Sequence, residues 1–143
     1  MLKKLIITIT ALIFVMTAGC APAGSDQSVA AKQVCQNLVL LADSIVNFKD
    51  VSKFKDTTEM QAYASVVKQN LNNVIQSASS LKTVKLDNLQ TAYNDLANAA
   101  SAIPPGTSLQ DAITSVQDQL KAMSVALAQL NTDLDCKNLL PQP

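Results

Sequence analysis

The sequence predicts an all-α protein, an up-down-up-down antiparallel four-helix bundle set behind a cleaved N-terminal leader. Three observations predict it. Helix formers dominate, aromatic residues are few, and Gly106 is the only glycine after residue 24. Apolar residues recur at steps of three and four along four long segments, which is the period of a helix and not of a strand. The connections between those segments are short, so successive helices should lie side by side and run in opposite directions.

Residues 1–19, MLKKLIITITALIFVMTAG, carry Lys3 and Lys4 ahead of an apolar run from Leu5 to Met16. A membrane-crossing helix needs roughly 20 apolar residues. This run is shorter, has its charge in front and ends in small residues, which is the pattern of a signal peptide more than of a permanent anchor.

A cysteine stands where the run stops. Thr17-Ala18-Gly19-Cys20 resembles the lipobox of bacterial lipoproteins, in which small residues precede the cysteine, although Thr17 occupies a place where leucine is usual. The resemblance covers residues 1–20 and says nothing about the mature fold. It implies that the Cys20 thiol takes a diacylglycerol, that the leader is cut before it, and that the new N-terminus is often acylated as well, with palmitate-class chains. It implies an address at the cell membrane or the outer membrane, with the mature domain outside the cytoplasm. Two or three acyl chains hold a protein firmly, where one holds it only marginally. Ala21-Pro22-Ala23 also fits an ordinary cleavage site, which would discard Cys20 and release a soluble protein.

Ala21 to Ser28 contains proline, glycine and serine without periodicity and reads as a flexible tether, so that residues 20–28 join the lipid to a bundle over residues 29–143. Helix one is expected over about Gln27 to Phe48, with Cys35, Leu38, Ala42 and Ile45 as its stripe and Val39 and Leu41 widening it. Helix two should run from Thr57 to Leu81, with Met60, Tyr63, Val67, Leu71, Val74, Ala78 and Leu81 in step. Helix three should run from Asp87 to Ala102 on Leu89, Tyr93, Leu96, Ala100 and Ile103. Helix four should run unbroken from Ser108 to Leu134 on Leu109, Ile113, Val116, Leu120, Met123, Leu127, Leu130 and Leu134. Capping oxygens are expected from Asp56, Asp87 and Ser108, with Glu59 and Gln90 at the reciprocal position of a capping box. Pro104-Pro105-Gly106 ends helix three, because proline cannot continue a helix.

The topology bears on Cys35 and Cys136. The start of helix one and the end of helix four share one end of such a bundle, and export supplies an oxidising compartment, so a disulfide is expected. Cys136 is one residue out of step with Leu127, Leu130 and Leu134. The bridge therefore requires helix four to loosen near Asp133 and Asp135, whose charges oppose the helix dipole. Free buried thiols or a disulfide-linked dimer are the alternatives.

Composition excludes much chemistry. The chain has no histidine, arginine or tryptophan, and Glu59 is its only glutamate. The commonest general base, triad member and metal ligand is thus missing, and a carboxylate di-metal site has too few glutamates. Ser52-Lys53 are adjacent and do not face each other on a helix, and Asp133-x-Asp135 offers too few oxygens for calcium. No catalytic residue, no metal and no cofactor beyond the covalent lipid on Cys20 is expected, and the protein reads as non-enzymatic. From residue 20 onward, nine lysines stand against eleven acids, a net charge of −2 that gives no reason to expect nucleic acid.

Two surfaces remain. Lys82 and Lys85, in the link between helices two and three, stand at the membrane-proximal end and read as a solvated turn or a weak contact to headgroups. At the other end, Phe48 to Asp56 is the longest non-periodic segment. Phe48 and Phe54 either close the top of the core or, with Lys53 and Lys55, form a partner-binding tip held away from the membrane. Function is therefore expected to be structural or protein-docking in the cell envelope. The alternative is a carrier that opens its alanine-rich helix three (Ala92, Ala97, Ala99, Ala100) to a small apolar ligand. Tyr63, Tyr93, Met60 and Met123 read as core.

Overall fold

The computed structural model describes residues 24–81 and 83–139. The leader, Cys20 and Lys82 lie outside the described residues. Among the described residues the chain is helical with no strand: α1 (Gly24–Lys49), a 3-10 turn (Val51–Lys53), α2 (Thr57–Ala78), α3 (Asp87–Ser101), α4 (Leu109–Ser115), α5 (Gln117–Asp133) and α6 (Cys136–Leu139).

Side-chain hydrogen bonds fix how the long helices run. Asn37 of α1 donates to the Asn73 carbonyl at 3.1 Å and to Ser77 Oγ at 3.0 Å, while Asn70 of α2 donates to the Leu40 carbonyl at 3.3 Å. As the α1 number rises the α2 number falls, so the two are antiparallel. Gln61, early in α2, donates to the carbonyls of Ala100 and Ile103 at and beyond the end of α3, at 2.9 and 3.4 Å. Lys49 at the end of α1 reaches Ser124 in the first half of α5 at 3.4 Å, so α1 and α5 are also antiparallel. The closest packing is of α1 on α2 and of α3 on α5, and α1 against α5 and α2 against α3 join the two pairs.

The core is the set of stripes turned inward. Met60, Val67 and Val74 of α2, Leu89 and Leu96 of α3, and Leu120 and Met123 of α5 are almost wholly buried, with Leu41 and Phe48 from α1. Tyr93 is 9% exposed, and burial alone pushes its hydroxyl pKa above that of an ordinary tyrosine. Val39 departs from the expected stripe: it is 45% exposed, and Val34, wholly buried, takes an inward place. Val34, Leu38, Leu41, Ile45 and Phe48 set the inward direction of α1, and Val39 lies well round the helix from their centre.

Three further expectations are corrected. The segment expected as one helix over residues 108–134 is two, broken at Val116, whose backbone (φ −108°, ψ 8°) leaves the helical region. Thr114 and Ser115 turn their hydroxyls back onto the carbonyls of Gln110 and Ala112, at 2.8 and 2.7 Å. Hydroxyls in this position compete with the helical ladder, and a β-branched valine follows directly. The break lets α4 lie against the 3-10 turn while α5 continues on α3. Second, the segment expected as a tether is already helical from Gly24. Pro22, the last residue that opposes a helix, precedes it, and nothing from Ser25 to Ser28 breaks one. Third, Asp87 does not cap α3. Leu86 occupies that place without a side-chain bond, and its carbonyl accepts from Gln90 at 2.9 Å.

The other caps form. Asp56 Oδ1 accepts from the Glu59 amide at 2.9 Å, while Glu59 Oε2 accepts from the Lys55 amide at 2.8 Å, one residue ahead of the cap, so Glu59 holds the entering chain and the box is not closed on the Asp56 amide. Ser108 Oγ accepts from the Asp111 amide at 3.2 Å.

Candidate functional site

The fold brings its distinctive residues to two ends. At one, the Cys35 and Cys136 sulfurs are bonded at 2.02 Å, with Cα atoms 5.4 Å apart and a sequence separation of 101. Both cysteines are buried, at 0% and 1% exposure. The register problem at Cys136 is met by the backbone. Helix α5 stops at Asp133, Asp135 takes the left-handed φ of 53°, and α6 begins at Cys136. The Leu134 and Asp135 amides still bond back to Leu130 and Thr132, at 3.1 and 3.0 Å, so the turn closes without leaving those donors orphaned. Beside it, Thr83, Val84 and Lys85 from the α2–α3 link face Leu130, Asp133 and Leu134 across a shallow groove of about 260 Å³. Lys85 is exposed.

At the other end, residues 50–56 wrap over the core. Asp50 Oδ1 accepts from Ser52 Oγ at 2.6 Å and from the Ser52 amide at 3.0 Å. These two bonds hold the Asp50 carboxyl below the ordinary aspartate pKa, with Lys53 adding a little. Phe48, Phe54 and Tyr63 form a triangle with ring centroids 6.3, 6.4 and 5.4 Å apart, two of the pairs edge to face. Phe54 is only 8% exposed, so its ring closes the core. This end presents to solvent Lys53 and Lys55 together with Ser52, Asp56 and Glu59, the last two engaged at the start of α2.

Two grooves run along α5. One, of about 330 Å³, lies between α1 and α5 and is mostly apolar, lined by Leu38, Val39, Ala42, Ile45, Val46 and Leu127. The other, of about 630 Å³, lies between α3 and α5 and includes Asp95, Asp118 and Lys121. Both open to solvent. Ala92 and Ala100 are buried, and Ala97 and Ala99 pack partly against the core, where small side chains allow helices to approach closely. Among the described residues no three cysteine, aspartate or glutamate side chains converge as metal ligands would.

Sequence reasoning missed Gln61, which satisfies the C-terminal carbonyls of α3, and Asn37, which ties α1 to α2. Neither carries a local signal, because each partner lies more than 35 residues away. Comparison with protein-family models, with curated proteins and with solved structures finds no match to this chain.

Proposed function

We propose that this chain is a non-enzymatic lipoprotein of the bacterial cell envelope, with a structural or protein-docking role. Lipid on Cys20 holds the mature domain to the membrane, outside the cytoplasm. In this reading α4 and α5 count as one bent rod, and with α1, α2 and α3 they form an up-down-up-down four-helix bundle. The observation that carries the proposal is the buried Cys35–Cys136 bridge, which needs an oxidising compartment and stands at the end of the chain that follows the leader. Helix α1 begins at Gly24, four residues after Cys20, and four extended residues reach at most about 14 Å. Eleven residues of α1, roughly 16 Å, lie between Gly24 and Cys35, so the anchor stands on the bridged side of the domain and within roughly 30 Å of the bridge. The docking surface is the exposed Lys53 and Lys55 at the other end, fixed in place by the buried Phe54 between them.

The test is metabolic labelling with an alkyne fatty acid in a bacterial host, followed by membrane fractionation. The parent chain and Cys35→Ser should take the label and sediment with membranes, and Cys20→Ser should do neither. An unlabelled parent, or label that survives Cys20→Ser, overturns the proposal. For docking, Lys53→Glu with Lys55→Glu should abolish partner recovery after crosslinking in the envelope.

A further inference from the structure

Helix α1 buries one face in the bundle and carries apolar residues among polar ones on its outer side as well. Four large apolar residues on its outer side are exposed: Val29 at 68%, Val39 at 45%, Leu40 at 52% and Val46 at 65%. A surface helix ordinarily turns a polar face to water, and a helix apolar all round is normally covered. The outer residues Val29, Lys32, Gln36, Val39, Asp43 and Val46 are all exposed, and they follow one another at steps of three, four, three, four and three. That is the seam by which two helices pack along their length. Neither Lys32 nor Asp43 makes an ion pair or a side-chain hydrogen bond among the described residues.

We infer that a second copy of this chain covers this face, through an antiparallel pairing of α1 with α1 about a two-fold axis between Asn37 and Leu38. The charges select the occupant. Read from opposite ends, the seam is its own complement: Val29 meets the partner subunit's Val46, Lys32 meets the partner subunit's Asp43, and Gln36 meets the partner subunit's Val39. The symmetry repeats each contact, so two ion pairs flank the centre and two valine pairs close the ends. A parallel pairing would set Lys32 on Lys32 and Asp43 on Asp43, and like charges facing each other suppress that arrangement. Val29 and Val46 lie roughly 25 Å apart along the helix, which makes a small interface and a dissociable dimer. In the pair, the two Gly24 positions stand roughly 40 Å apart at opposite ends. Chains held in one bilayer would then lie with α1 along the membrane plane. The inference does not require the lipid.

The test places a genetically encoded benzophenone photocrosslinker at Val46 of the full-length chain in cells. Irradiation should give an adduct of twice the chain mass that joins position 46 to the peptide carrying Val29. Lys32→Asp and Asp43→Lys should each lower its yield about tenfold, and the double variant, which restores opposite charges, should recover it. Both residues are exposed, and retention of the Cys35–Cys136 bridge reports that each variant folds. An adduct to a different protein or to lipid, no adduct, a peptide from the parallel register, or a double variant that fails to recover would each overturn the dimer.

Discussion

The left-handed backbone of Asp135 is what turns Cys136, one residue out of step with the α5 seam, onto Cys35. An L-residue in this conformation crowds its Cβ against the following carbonyl, and asparagine and aspartate tolerate it best. A β-branched residue tolerates it worst. Asp135→Val should lower the unfolding free energy by about 1–2 kcal/mol, measured by urea denaturation of the oxidised protein. Asp135→Asn keeps the tolerance and should lose less stability than Asp135→Val.

The bridge closes nearly the whole described fold. In the chain-entropy picture, a loop of about 100 residues is worth about 4.7 kcal/mol, and loss of a native disulfide from a small exported domain typically costs about 2–5. Cys35→Ala with Cys136→Ala should fall in that range by urea denaturation. The double variant leaves a small packing loss at two buried sites, so the effect should exceed that of reducing the wild-type bridge.

Caps give a contrast between two helices whose sequence signals look alike. Asp56-x-x-Glu59 and Asp87-x-x-Gln90 both suggest a capping box, but only Asp56 accepts a backbone bond at the cap position. Asp56→Ala should cost about 1 kcal/mol. Asp87→Ala should cost less than about 0.5 kcal/mol, the usual limit for a surface substitution away from such a feature. Equal losses would contradict the assigned start of α3.

How much of this was legible beforehand depends on how local the cause is. The inward stripes of α2 and α3 follow from periodicity, because residues three and four apart share a helix face whatever they pack on. The break at Val116 lay in plain view as Thr114-Ser115-Val116, yet three weak helix formers inside a strong apolar pattern do not outweigh it until hydroxyl back-bonds are seen. Val39 falls outside the inward stripe and Val34 inside it because α1 carries apolar residues on both sides, and periodicity alone does not say which side a neighbour covers. Phe54 offered a fair choice between core and tip, and the ring of Tyr63, 5.4 Å away, places it in the core. The role of Gln61 rests wholly on tertiary placement, and no local pattern announces it.

At the tip, the lysines of the proposed docking surface are separable from the rings that hold the fold. Phe48 is the fully buried corner of the aromatic triangle, and Phe48→Ala should cost about 3–5 kcal/mol. Lys53→Glu and Lys55→Glu change exposed side chains and should shift stability by no more than about 0.5 kcal/mol. A thermal scan of the three variants checks the division. A large loss from either lysine variant would mean that these charges hold the fold, and would count against the proposed docking surface.

Acid should loosen the turn at Asp50 only once the pH falls below the ordinary aspartate pKa. Asp50 accepts two bonds from Ser52 in the folded chain, and both favour its charged form. Its folded pKa therefore lies below the unfolded value. The sign follows from linkage: this contribution is fully present above the ordinary aspartate pKa and is lost as pH falls through the lower, folded value. An NMR titration should show the Ser52 amide resonance moving with a midpoint below that of an unperturbed aspartate, and Asp50→Asn should remove the movement. A midpoint at or above the ordinary value would mean that the Ser52 bonds do not persist in solution, and the 3-10 turn would then owe its shape to the packing of Phe48 and Phe54 alone.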